Sequence, residues 1–105
     1  MIERRPRADL TGKQRKHLRG LAHHLDPLVR IGQQGLTVGL GDAVFEALEE
    51  HELIKVKLLE TAPCEKKEAA DWLAERCGAH VAGVVGRIVI LYRRHKDHPE
   101  ITLPR

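Results

Sequence analysis

Aromatic side chains are nearly missing from this chain: of 105 residues only Phe45, Trp72 and Tyr92 carry an aromatic ring other than histidine. Recognition of nucleic-acid bases by stacking draws on several such rings, so that mode is disfavoured. Long apolar runs are missing too, and nothing approaches the ~20 consecutive apolar residues of a membrane-spanning helix. Residues 1–7 are charged with no apolar segment behind them, which predicts no secretion signal and a cytoplasmic location. Cysteine is scarce, with Cys64 and Cys77 alone. On one helix they would stand ~20 Å apart at 1.5 Å per residue, too far for a disulfide, and reduced thiols are expected.

Catalytic constellations are missing as well. There is no G-x-S-x-G and no H-E-x-x-H. A nucleotide-hydrolase phosphate loop carries Lys and Ser/Thr after its glycines, whereas Leu36 and Thr37 follow Gly35 here. Cys77-x-x-His80 and His95-x-x-His98 have ligand-like spacing, but a structural zinc site takes four ligands at matched spacings. Glu46, Glu49, Glu50 and Glu52 read as a solvated acidic face. The expectation is therefore a protein with no enzymatic activity, no metal and no cofactor.

Charge is present and unevenly spread. The formal net charge is only +3. Residues 1–35 balance at +5, residues 36–84 at −5 and residues 85–105 at +3. If both ends of the chain fold to one side they make a basic face, which attracts polyanions. Between Leu10 and Leu25 there is no acid at all.

The stretch VRIGQQGLT, Val29 to Thr37, carries the most chemistry. It reads as a short strand, a G-x-x-G turn and a helix start capped by Thr37. Two glycines let the backbone turn tightly and come close to a partner. The N–H groups and dipole of the following helix favour an anion there. A lone G-x-x-G is common; its place between strand and helix, beside basic segments, points to a loop that grips a sugar–phosphate backbone.

The remaining elements follow from periodicity and breakers. Residues 1–9 hold Arg4, Arg5 and Arg7 and read as a loose basic arm, with the domain spanning 10–105. A helix is predicted from about Thr11, its cap, to Leu25. Leu18, Leu21 and Leu25 lie on its apolar face, and Lys16, Arg19 and His23 on the outer face. Asp26-Pro27 stops it. A second helix runs from about Val38 to His51, with Leu40, Val44, Ala47 and Leu48 inward. Gly39 and Gly41 weaken its start. Leu53 to Leu59 alternates, with Ile54, Val56 and Leu58 inward and Lys55 and Lys57 outward. Pro63 suits the entry to a third helix over about Cys64 to Cys77, with Ala69, Ala70, Leu73 and Cys77 inward and Gly78 as its stop. Val81–Val85 and Ile88–Arg93 form a hairpin about Gly86-Arg87. The last strand is apolar on both faces and is expected in the centre of the sheet. The tail is expected to pack back through Ile101 and Leu103. This is one α/β domain of order αβαβαββ, with a mixed four-stranded sheet and helices packed on it.

Several separated motifs carry a family resemblance: LTGKQRKHLRGLAH from Leu10, VRIGQQGLT from Val29, HELIKVK from His51, VGRIVILYR from Val85 and ITLP from Ile101. Together they resemble the CRM domain family, for chloroplast RNA splicing and ribosome maturation, and its stand-alone bacterial YhbY type in particular. The resemblance implies a fold similar to the C-terminal domain of translation initiation factor three. It implies RNA binding and association with precursors of the large ribosomal subunit. Carried onto this sequence, the loop is Gly32, Gln33, Gln34 and Gly35. The basic partners are Lys13, Lys16 and Arg19, joined by Arg30, Lys55, Lys57, Arg87 and Arg93. The rival expectation is a protein-interaction module, with the acidic second helix or the apolar hairpin docking a protein partner and no direct RNA contact.

Overall fold

The computed structural model describes residues 9–105. The expected basic arm therefore lies, but for Asp9, outside the described residues. The elements are α1 (Gly12–Ala22), β1 (Val29–Ile31), α2 (Val38–Glu50), β2 (Leu53–Leu58), α3 (Lys66–Cys77), β3 (His80–Val85) and β4 (Ile88–Tyr92). Their order is the predicted αβαβαββ.

The four strands form one mixed sheet in the order β1-β2-β4-β3. β1 runs parallel to β2, and β4 is antiparallel to both of its neighbours. β4 is thus central, as its two-sided apolar sequence requires. Pairing of Val85 with Ile88 leaves Gly86-Arg87 as a two-residue turn. Gly86, at φ +58°, takes the left-handed position of that turn.

Alternation along the strands divides the core in two. On one face, α2 and α3 pack Val44, Leu48, Ala69, Ala70, Leu73 and Cys77 against Ile31, Ile54, Val56, Leu58, Val89 and Leu91. On the other, α1 packs Leu18 and Ala22 against Leu53, Ala82, Ile90 and Tyr92, with Ile101 and Leu103 of the tail packed alongside. Thr11 caps α1 through a capping box with Gln14, and Gly78, at φ +64°, ends α3 in the left-handed conformation.

Four expectations need correction. α1 ends at Ala22, short of Leu25, and Leu21, though inside the helix, lies off its buried Leu18–Ala22 side; the two leucines are 42% (Leu21) and 39% (Leu25) exposed. α3 begins at Lys66 with Glu65 as its cap, and Pro63 belongs to the turn before it. Arg19 is exposed but not turned to solvent alone: its Nη1 donates to the Ala82 carbonyl at 3.1 Å, and its stem crosses Gly83. Glu52 is no part of a solvated helix face. It follows α2, is only 4% exposed, and accepts the backbone N–H groups of His95, Glu100 and Ile101. Burial pushes the Glu52 carboxyl up, but these hydrogen bonds outweigh it and hold the group below its ordinary value. Gly41 has a packing reason, since a Cβ there would run into Arg76 and meet Trp72 at 3.3 Å.

Candidate nucleic-acid interface

Ile31 is fully buried and anchors the end of the edge strand β1. The chain then turns at once. The Gly35 N–H donates to the Gly32 carbonyl at 3.0 Å, closing Gly32–Gly35 as a β-turn. Gly35 sits at φ +69°, where a Cβ would also meet Pro63 Cγ at 3.0 Å, so both backbone and space call for glycine. Gln33 and Gln34, between the glycines, are exposed.

Thr37 caps α2, its Oγ1 accepting the Leu40 N–H at 3.1 Å. α2 has no acid in its first turn, so the positive end of its dipole is not neutralised from within the helix. Arg30, the turn, Thr37 and Leu40 line an open concavity of about 340 Å³. None of Phe45, Trp72 and Tyr92 lines it. The site is built from main-chain donors, two amides and a guanidinium, without an aromatic platform.

The other basic residues divide into groups. Arg30 and Lys57 are register partners on β1 and β2, and Lys55 lies two residues before Lys57 on the same face. Strand spacing puts the two backbones ~4.8 Å apart. Among the described residues none of these three forms an ion pair. They project to the α1 side of the sheet, since Val29, Ile31, Val56 and Leu58 take the opposite face. Lys13 and Lys16 are exposed on α1, turned away from the buried Leu18 and Ala22, and Lys13 Nζ reaches the Arg105 carbonyl at 3.4 Å.

Arg19, Arg87 and Arg93 already have protein partners. Arg19 holds the Ala82 carbonyl. Arg87 donates from Nε to the Leu58 carbonyl at 3.1 Å and from Nη2 to the Leu59 carbonyl at 2.9 Å. Arg93 pairs with Glu49 at 3.1 Å and lies over the Phe45 ring at 5.1 Å. It extends β4 beyond Tyr92, at the opposite end of the sheet from the loop, so the structure does not bring it to the site.

The titratable groups with shifted values lie elsewhere. Burial pushes the Cys64 thiol up, reinforced by Glu68, which works against a reactive thiolate. Burial lowers His80 and raises Tyr92. Among the described residues no three His, Cys, Asp or Glu side chains gather to hold a metal, and no helix is long and apolar enough to cross a membrane. What sequence reasoning missed around the loop is its support, Leu59 and Pro63, which follow β2 and carry no motif.

Comparison with known proteins accounts for nearly the whole chain. YqeI of Bacillus subtilis, named a probable RNA-binding protein, is 36% identical over 90% of this chain and 99% of its own length. A protein of Haemophilus influenzae named RNA-binding protein is 38% identical over 91% of this chain and 96% of its own. A Staphylococcus aureus protein with a structure determined in solution superposes with a TM-score of 0.78 at 40% identity, covering 90% of this chain and 99% of that one. The profile of the CRS1/YhbY (CRM) domain matches residues 10–93, a span that takes in α1, the Gly32–Gly35 turn and the whole sheet. With that match and relatives of this identity over nearly their full length, the chain belongs to the CRS1/YhbY (CRM) domain family.

Proposed function

We propose that this protein binds RNA through the Gly32–Gly35 loop and the basic side of the sheet, and that it assists maturation of the large ribosomal subunit. The observation that carries the reading is the placement of the loop. A glycine turn opens onto the start of α2, and Arg30 and Lys57 stand beside it with no acid paired to them among the described residues. The names of the relatives, probable RNA-binding proteins, support the same reading. The backbone N–H groups of the loop and of the first turn of α2 hold one phosphate. Arg30, Lys55 and Lys57 neutralise its neighbours, and Lys13 and Lys16 extend the contact along α1. Gln33 and Gln34 supply amide donors and acceptors for sugar hydroxyls or base edges.

Binding of this kind releases counterions, so the logarithm of affinity falls linearly with the logarithm of salt, by about 0.7–0.9 per phosphate contacted. The test is a salt titration of a structured RNA with the intact protein and with a double variant, Arg30→Met with Lys57→Met. The expected result is a steep slope that becomes shallower by about 1.4–1.8 in the variant. A flat dependence in the wild type removes the mechanism. The ribosomal part is tested by ultraviolet crosslinking in cells and sequencing of the attached RNA. Reads gathered on one region of large-subunit precursor RNA are expected, and reads spread in proportion to RNA abundance overturn the assembly role.

A further inference from the structure

Each glycine of the loop is backed by a residue from the turn that follows β2. A Cβ at position 32 would meet Leu59 Cδ1 at 3.9 Å, and a Cβ at position 35 would meet Pro63 Cγ at 3.0 Å. That turn is closed by the Ala62 N–H donating to the Leu59 carbonyl at 3.0 Å. It is tied to the foot of the loop by the Leu59 N–H donating to the Ile31 carbonyl at 2.9 Å. The Leu59 carbonyl also accepts Arg87 Nη2, while the Leu58 carbonyl accepts Arg87 Nε. The Arg87 carbonyl in turn accepts the Leu58 N–H at 2.8 Å. One guanidinium in the β3–β4 hairpin therefore holds two consecutive carbonyls at the point where β2 passes into the turn that supports the loop.

We infer that Arg87 is a positioning residue for the Gly32–Gly35 loop: it clamps the Leu59–Pro63 turn on which both glycines rest, and it does not serve as a phosphate ligand. The inference rests on the RNA-binding reading above. Its physical basis is the fork geometry of the guanidinium, which presents several N–H groups in one plane and engages two acceptors at once. A lysine ammonium supplies the same charge but not the fork. The route from Arg87 to the loop is short and continuous, running through the Leu59 main chain to Ile31 and through the turn to Pro63 and Gly35.

The two roles predict different consequences for substitutions at position 87. A phosphate ligand tolerates Arg87→Lys and, on Arg87→Met, gives up about 0.7–0.9 of the salt slope. A clamp is lost equally in both variants. The experiment is RNA affinity as a function of salt for the wild type, R87K, R87M and P63A, with backbone amide NMR spectra of each protein free of RNA. Expected are losses of about three- to tenfold in both Arg87 variants, the worth of one or two hydrogen bonds, with the wild-type salt slope retained. The amides of Gly32, Gln33, Gln34 and Gly35 shift in the free proteins. P63A, which changes no charge, shifts the same amides and weakens binding, and it carries the test if the Arg87 variants fail to fold. R87K at wild-type affinity, a reduced slope in R87M, or unmoved loop amides in a folded Arg87 variant each overturn the inference. If the wild type binds no RNA, the functional reading falls on its own, and the loop amides of the free proteins still decide whether Arg87 holds the loop.

Discussion

β2 is fastened at each end by one ionised side chain, and the two fastenings are opposites. At its start, the Glu52 carboxylate takes the backbone N–H groups of His95, Glu100 and Ile101 and ties the C-terminal tail against the sheet. At its finish, the Arg87 guanidinium takes the Leu58 and Leu59 carbonyls and ties the turn beneath the loop. Glu52 is 4% exposed, whereas Arg87 is exposed. The difference separates two kinds of importance. A buried anion cannot be replaced by water, so removing it strands three donors and costs stability. Carbonyls freed at an exposed cation are rehydrated, so its loss costs geometry far more than stability.

Five substitutions sharpen that contrast. The largest effect is expected at Glu52→Ala, which should destabilise by about 2–4 kcal/mol in urea denaturation, the scale for charged, buried hydrogen bonds. It should also open the tail beyond Arg93 to limited proteolysis. A loss under about 1 kcal/mol would show that the tail is held by Ile101 and Leu103 instead. The same group predicts an acid limb. Its folded value lies below the ordinary carboxylate value, so its contribution is fully present above the unfolded value and lost as pH falls through the folded one. Glu52→Gln should flatten stability against pH below about pH 5.

Gly35→Ala ranks next, at about 1–3 kcal/mol for a side chain forced to positive φ, with weakened RNA binding. Gly32→Ala, which has no positive φ and would meet nothing closer than Leu59 Cδ1 at 3.9 Å, should stay within about 0.5 kcal/mol. Equal costs at the two glycines would break the picture of a loop seated unevenly on Pro63. A similarly small effect is expected at Arg93→Ala. Its pair with Glu49 is partly exposed, worth at most about 1 kcal/mol, and RNA affinity and salt slope should not change.

The architecture was legible because each element announced itself locally. Alternation in β2, the turn at Gly86-Arg87, the stripe of α3 and the two-sided apolar β4 each follow from periodicity and breakers, and the central place of β4 follows from its two apolar faces. The G-x-x-G loop was legible for the same reason. What escaped the sequence reading depended on distant partners. Glu52 sits among other acids in sequence, and its donors lie more than forty residues away. Leu21 and Leu25 keep the helical period, but the period does not reveal where the partner surface ends. Arg19, Arg87 and Arg93 looked like further solvent-facing cations. Each is held by a carbonyl or an acid from another element, and a count of charges does not register that.

The placement of charge has a consequence for how the molecule meets anything strongly charged. α1 contains four Lys/Arg and no acid, and Arg30, Lys55 and Lys57 lie on its side of the sheet. α2, on the other side, contains Asp42, Glu46, Glu49 and Glu50 and no base. With a net charge of only +3, a distant polyanion exerts little overall pull but a strong torque. It turns the α1 side inward and repels an approach by α2. An approach by the acidic α2 side is disfavoured against one by the α1 side before any contact forms, so the acidic helix acts as a rudder for the basic face.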